Sequence, residues 1–119
     1  MQFLVYDPNF DPTAPMDPPT PEFMAEMGAF IGEAMAAGKI VTTGAGLPTG
    51  TRLKLAEGKF TVTDGPFIEL KELTAGFAVI QTDTLEEAIE WCKRFRQIVG
   101  DGESEIVRIM GPGDMEMHG

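Results

Sequence analysis

Apolar residues recur at three- and four-residue intervals in two stretches of the chain, and shorter alternating or continuous apolar runs fill most of the rest. Phe23, Met27, Phe30, Ile31, Ala34 and Met35 share one face of a helix predicted over residues 21–37. Thr20-Pro21-Glu22 supplies its N-cap, a proline at the first helical position and an acid in the first turn, and Gly38 supplies the stop. Gly28 and Gly32 inside this helix weaken it and predict a close packing contact there. The second helix starts at the capping box Thr84-Leu85-Glu86-Glu87, in which the hydroxyl caps an amide and Glu87 reaches back. Its apolar stripe runs through Leu85, Ala88, Ile89, Cys92, Phe95 and Val99, with Glu86, Glu90, Lys93 and Arg94 toward water, and Gly100-Asp101-Gly102 ends it.

Residues 2–6 read as a strand, followed by a proline-rich loop over 8–20. Ile40 to Leu47 reads as a strand broken by small residues, and Pro48-Thr49-Gly50 as a turn. Thr51 to Leu55 and Phe60 to Thr63 alternate in polarity around Glu57-Gly58, which predicts a β-hairpin within an insertion spanning 51–74. Ala75 to Ile80 is almost continuously apolar, as expected of a central strand buried on both faces. Glu105 to Met110 forms the last strand, before a tail over 111–119 expected to be mobile. Without the inserted hairpin the order is that of a ferredoxin-like βαββαβ fold of the α+β class. Two helices cover one face of such a sheet, so the other face calls for a partner. A second copy of the chain would supply it, leaving a cavity between sheet, helices and inserted loop.

The length of 119 residues suits one domain with a continuous core. A formal charge of −10 disfavours nucleic acid and anionic membranes, and no cationic cluster offsets it. Lys93, Arg94 and Arg96 fall late in the second helix, where cations favour the negative end of its dipole. Cys92 is the only cysteine, so no intramolecular disulfide forms, and with no signal-like start or long apolar run a soluble, cytoplasmic protein is expected. The Gly28-x-x-x-Gly32 spacing belongs to a polar helix rather than a membrane one. Gly44 to Gly50 lacks the lysine and spacing of a phosphate loop, and His118 stands alone in the tail. No cofactor or metal is expected.

The candidate chemistry gathers in Asp64-Gly65-Pro66-Phe67-Ile68-Glu69-Leu70-Lys71-Glu72, read as a turn followed by closely spaced opposite charges. Asp64 can serve as a general base, or simply bond the backbone two residues on and hold the turn. Glu69, Lys71 and Glu72 can transfer protons and orient a polar ligand, and a solvated ion-pair loop has the same composition. Phe67 is a candidate apolar anchor. Tyr6, at the end of the first strand, can pack its ring inside and extend its hydroxyl to a cavity. Trp91, Cys92 and the methionines Met24, Met27 and Met35 read as packing residues.

These residues resemble a known family. Asp64-Gly65-Pro66-Phe67 with Glu69, Lys71 and Glu72 is similar to the DGPFAETKE motif of YCII-related (DGPF domain) proteins. Leu4-Val5-Tyr6, Ala37-Gly38, the Gly44-Ala45-Gly46-Leu47-Pro48 segment, Gly76-Phe77 and Leu85 to Ala88 agree as well, so the likeness covers nearly the whole chain. The chain departs from the motif at Ile68 and Leu70. The resemblance implies a dimeric α+β barrel, a bacterial cytoplasmic setting and gene neighbourhood with extracytoplasmic-function sigma factors. The His–Asp pair of other YCII proteins is missing, with Met27 and Ala36 near those positions.

Two functions fit. One is a homodimer that binds a small molecule at the dimer cavity, or a metal-independent acid–base enzyme of isomerase or lyase type. Asp64 or Glu69 would be its base and Lys71 would stabilise charge, with Tyr6, Phe67 and Glu72 contacting ligand. The other is a protein-interaction or regulatory module for a sigma factor, acting through the acidic surface and inserted loop.

Overall fold

A computed structural model describes residues 1–9, 18–46, 49–67 and 76–112. The elements run β1 (Gln2–Tyr6), α1 (Pro21–Ala36), β2 (Ile40–Gly44), β3 (Thr49–Ala56), β4 (Lys59–Phe67), β5 (Phe77–Gln81), α2 (Leu85–Val99) and β6 (Glu105–Ile109). Antiparallel pairing sets β2, β5, β1 and β6 side by side in that order, while β3 and β4 form a separate two-stranded sheet. This is the ferredoxin-like α+β arrangement with an inserted hairpin. β5 is central, as its apolar run predicts, and β1 is central as well.

Both helices start as their sequences predict. Thr20 Oγ1 accepts from the Phe23 amide and Thr84 Oγ1 from the Glu87 amide, each at 3.1 Å. The second half of the capping box differs: the Glu87 carboxylate accepts instead from Lys39 Nζ at 2.7 Å. A lysine on a neighbouring element offers a full charge, which outcompetes a single backbone amide for the carboxylate.

Phe3 and Val5 of β1 pair in register with Ile80 and Ala78 of β5 and face the helices. With Ala88 and Cys92 of α2 they form the core, and Ala34 of α1 is also buried. The opposite face carries Leu4, in register with Val79 on one side and Val107 on the other, together with Ile109, and neither helix covers it. Met35, predicted on the core face of α1, is exposed because Ala34 takes the inward position. No described atom lies within 4 Å of a Cβ built at Gly28 or Gly32, so the close contact predicted there is not formed.

The hairpin turns at Glu57 and Gly58, both in the left-handed region (φ 51° and 77°), the signature of a two-residue turn. Leu53 opposes Val62 and Leu55 opposes Phe60, which gives the hairpin one apolar face. That face is bare: the four residues are 61–69% exposed. The Asp64-Gly65-Pro66 turn is not a turn. β4 runs through to Phe67, and the ladder shifts register between Thr49 and Thr51, opposite Gly65 at φ 90°. A glycine in a bulge takes up the kink without ending the strand. Among the described residues, no helix is long and apolar enough to cross a membrane.

Candidate functional site

The helices leave space above the sheet. A cavity of about 530 Å³ lies between α1, α2 and the helix-facing side of the sheet. That volume is within the range that holds a small organic ligand. α1 contributes Phe23, Met27, Phe30 and Ile31, whose even apolar spacing aims one face of the helix inward. α2 contributes Trp91, Cys92 and Phe95, and the sheet contributes Val5, Ile40, Ala78 and Ile80. The apolar stripe read from α1 as core is therefore half-buried cavity wall.

The cavity extends to one end of the sheet, where Asp7 follows β1, Gly44 ends β2, Gly76 precedes β5 and Ser104 precedes β6. Gly44 and Gly76 are the points beside which the inserted hairpin leaves and rejoins the sheet. Their backbones are close: a Cβ at Gly76 would meet the Gly44 carbonyl oxygen at 3.6 Å. At the same end Thr43 Oγ1 donates to the Phe77 carbonyl at 2.9 Å, tying β2 to β5.

Lys39, Arg94 and Arg96 each have a different setting beside the cavity. Arg94 forms an ion pair with Glu33 of α1, and its guanidinium lies 5.2 Å from the Phe30 ring centre and 4.8 Å from that of Trp91. It clamps the two helices across the cavity's outer side. Lys39 is held by Glu87, and that hydrogen bond raises its pKa against the opposing effect of burial. Arg96 lines the cavity, stacks on Phe95 at 5.3 Å and donates to the Glu103 carbonyl at 3.4 Å. Cys92 is buried in the cavity wall, and burial pushes its thiol pKa up against the opposing charge of Arg96.

The sequence candidates are distributed unevenly around this cavity. Tyr6 lies on its rim, although strand alternation sets it on the other side of the pleat from Val5. Asp64 is exposed on β4, does not line the cavity, and accepts from Thr51 Oγ1 across the ladder at 2.9 Å. A cross-strand side chain, not the local backbone, holds it. Phe67 ends β4 opposite Thr49. Glu69, Lys71 and Glu72 lie outside the described residues.

Arg96 was missed as a site residue because it reads as a cation near a helix end. Its spacing carried a signal: it stands four residues after Cys92 and three before Val99, on the apolar stripe itself. Lys39 and Trp91 give no comparable sign in the sequence. Among the described residues, no group of three His, Cys, Asp or Glu side chains is placed to hold a metal ion.

A search of the curated proteins finds no match to the chain. The family model of the YCII-related domain matches residues 1–112, through both helices and all the strands described above. The chain therefore belongs to the YCII-related family.

Proposed function

We propose that this protein binds a small, largely apolar molecule in the cavity between α1, α2 and the sheet. The observation that carries the reading is the cavity itself: about 530 Å³ walled by aromatic and aliphatic side chains from three elements. Native cores pack tightly and leave few voids larger than a water molecule, so a space of this size is a place for a ligand. Tyr6, Asp7, Thr43, Arg96 and Ser104 bring polar groups to the strand-end rim, where they can orient what enters, and Lys39 stands at the opposite end of β2.

The protein works as a homodimer in this reading. Leu4, Val79, Val107 and Ile109 form an apolar sheet face that neither helix covers, and Leu53, Leu55, Phe60 and Val62 form a second on the hairpin. A two-fold contact hides such faces with one repeated interface. Acid–base chemistry by Glu69 and Lys71 on the bound molecule extends the reading, supported by the family motif and by Gly76, four residues after Glu72 in the chain, standing on the cavity wall. The hairpin's bare face also supports a protein-interaction role.

Native mass spectrometry of the protein purified gently from its own source separates these. A dimer carrying a discrete small-molecule mass is expected. An empty chain that retains a different polypeptide would transfer the reading to the interaction role.

A further inference from the structure

We infer that Arg96 is an anion anchor, so that the ligand class is an apolar molecule ending in a carboxylate, its chain in the cavity and its head at the guanidinium. The inference rests on the cavity being a ligand site. A guanidinium carries five donors in a fixed fork and never loses its charge. Among the described residues one of the five has an acceptor, a carbonyl at the long distance of 3.4 Å, and Nε is sealed from solvent with no partner there. No carboxylate among the described residues pairs with Arg96, whereas Lys39, Lys93 and Arg94 each have one. An apolar wall with a single underused cation is the pattern that recognises an amphipathic acid.

Two neighbours sharpen the assignment. Asp7 also lines the cavity and forms no ion pair with Arg96; its Oδ1 accepts from the Asn9 amide at 2.8 Å, which turns it to its own loop. Gly102, at φ 148°, lies against the guanidinium so closely that a Cβ there would collide with Arg96 Nη1. The loop after α2 thus sets where the charge sits, and Gly102 is a positioning residue.

The test is calorimetric titration of the full chain with decanoate and with 1-decanol, which share an apolar chain and differ in the charged head. Wild-type protein should prefer decanoate by on the order of tenfold, the worth of one charge-assisted hydrogen bond. Arg96→Met should abolish the preference while keeping decanol binding. Gly102→Ala, which retains the charge but displaces it, should reduce the preference in a protein with unchanged circular dichroism. Equal binding of the two ligands by the wild type overturns the anchor and leaves the cavity reading standing. Retention of the preference by Arg96→Met does the same. Binding of neither ligand overturns the cavity reading and the anchor with it.

Discussion

Lys39 Nζ lies 2.7 Å from Glu87 Oε1, and this contact ties the turn after α1 to the first turn of α2. It fixes the second helix to the strand end that begins β2, at the edge of the cavity. The hydrogen bond from Glu87 holds the Lys39 pKa above its ordinary 10.5. A raised lysine pKa stabilises the fold below the unfolded value, and that contribution is lost as pH rises through the folded one. Lys39→Met should therefore lower the melting temperature at pH 8, and the gap to wild type should narrow above pH ~10.5. Parallel melts across that range check it. A gap constant to pH 12 would show that the ion pair is not its cause.

The two threonine caps have the same geometry in this structure, each accepting one amide at 3.1 Å. Thr20→Ala and Thr84→Ala should each cost about 1 kcal/mol in urea unfolding, with Thr→Asp retaining most of it.

Two buried alanines should respond in opposite ways to enlargement. Ala88 is fully buried in the core and does not line the cavity, so Ala88→Leu should destabilise by about 1–3 kcal/mol. Ala34 is as deeply buried but lines the cavity, so Ala34→Leu has space to enter. It should keep near wild-type stability and weaken ligand binding. Paired urea unfolding and calorimetry read both effects, and equal destabilisation by the two would contradict the cavity.

The hairpin turn places Glu57 in a conformation that asparagine adopts more readily. Glu57→Asn should slow amide exchange along β3 and β4. Gly58→Val should speed it, since a β-branched residue at φ 77° is strained by about 1–2 kcal/mol. Exchange in β1 and β5 should not change in either variant.

Local signals carried most of the fold. The helix starts at Thr20 and Thr84, the hairpin turn at Glu57-Gly58 and the central run ending at Ile80 are each written in a few adjacent residues, because caps, turns and periodicity act over short range. Local signals do not reach the contacts in which distant parts of the chain meet. The capping box points Glu87 to its own backbone, and Lys39, its partner in the fold, lies 48 residues away. Asp64-Gly65-Pro66 reads as a turn because the Asp64 partner, Thr51, sits on another strand and Gly65 marks a turn and a bulge equally well. The stripe on α1 was legible as apolar, but periodicity cannot distinguish a residue against the core from one beside an empty space. Arg96 shows the same limit, since its place on the stripe was visible and its role was not.

The measurement that tests the account most directly is the set of intermolecular nuclear Overhauser effects between 1-decanol and the protein's methyl groups. The alcohol reports on the cavity independently of any charge at Arg96. Contacts to Met27, Ile31 and Ile80, which line the cavity, are expected. Contacts to Leu4, Val79 and Val107 on the open sheet face, with none to the cavity methyls, would contradict it.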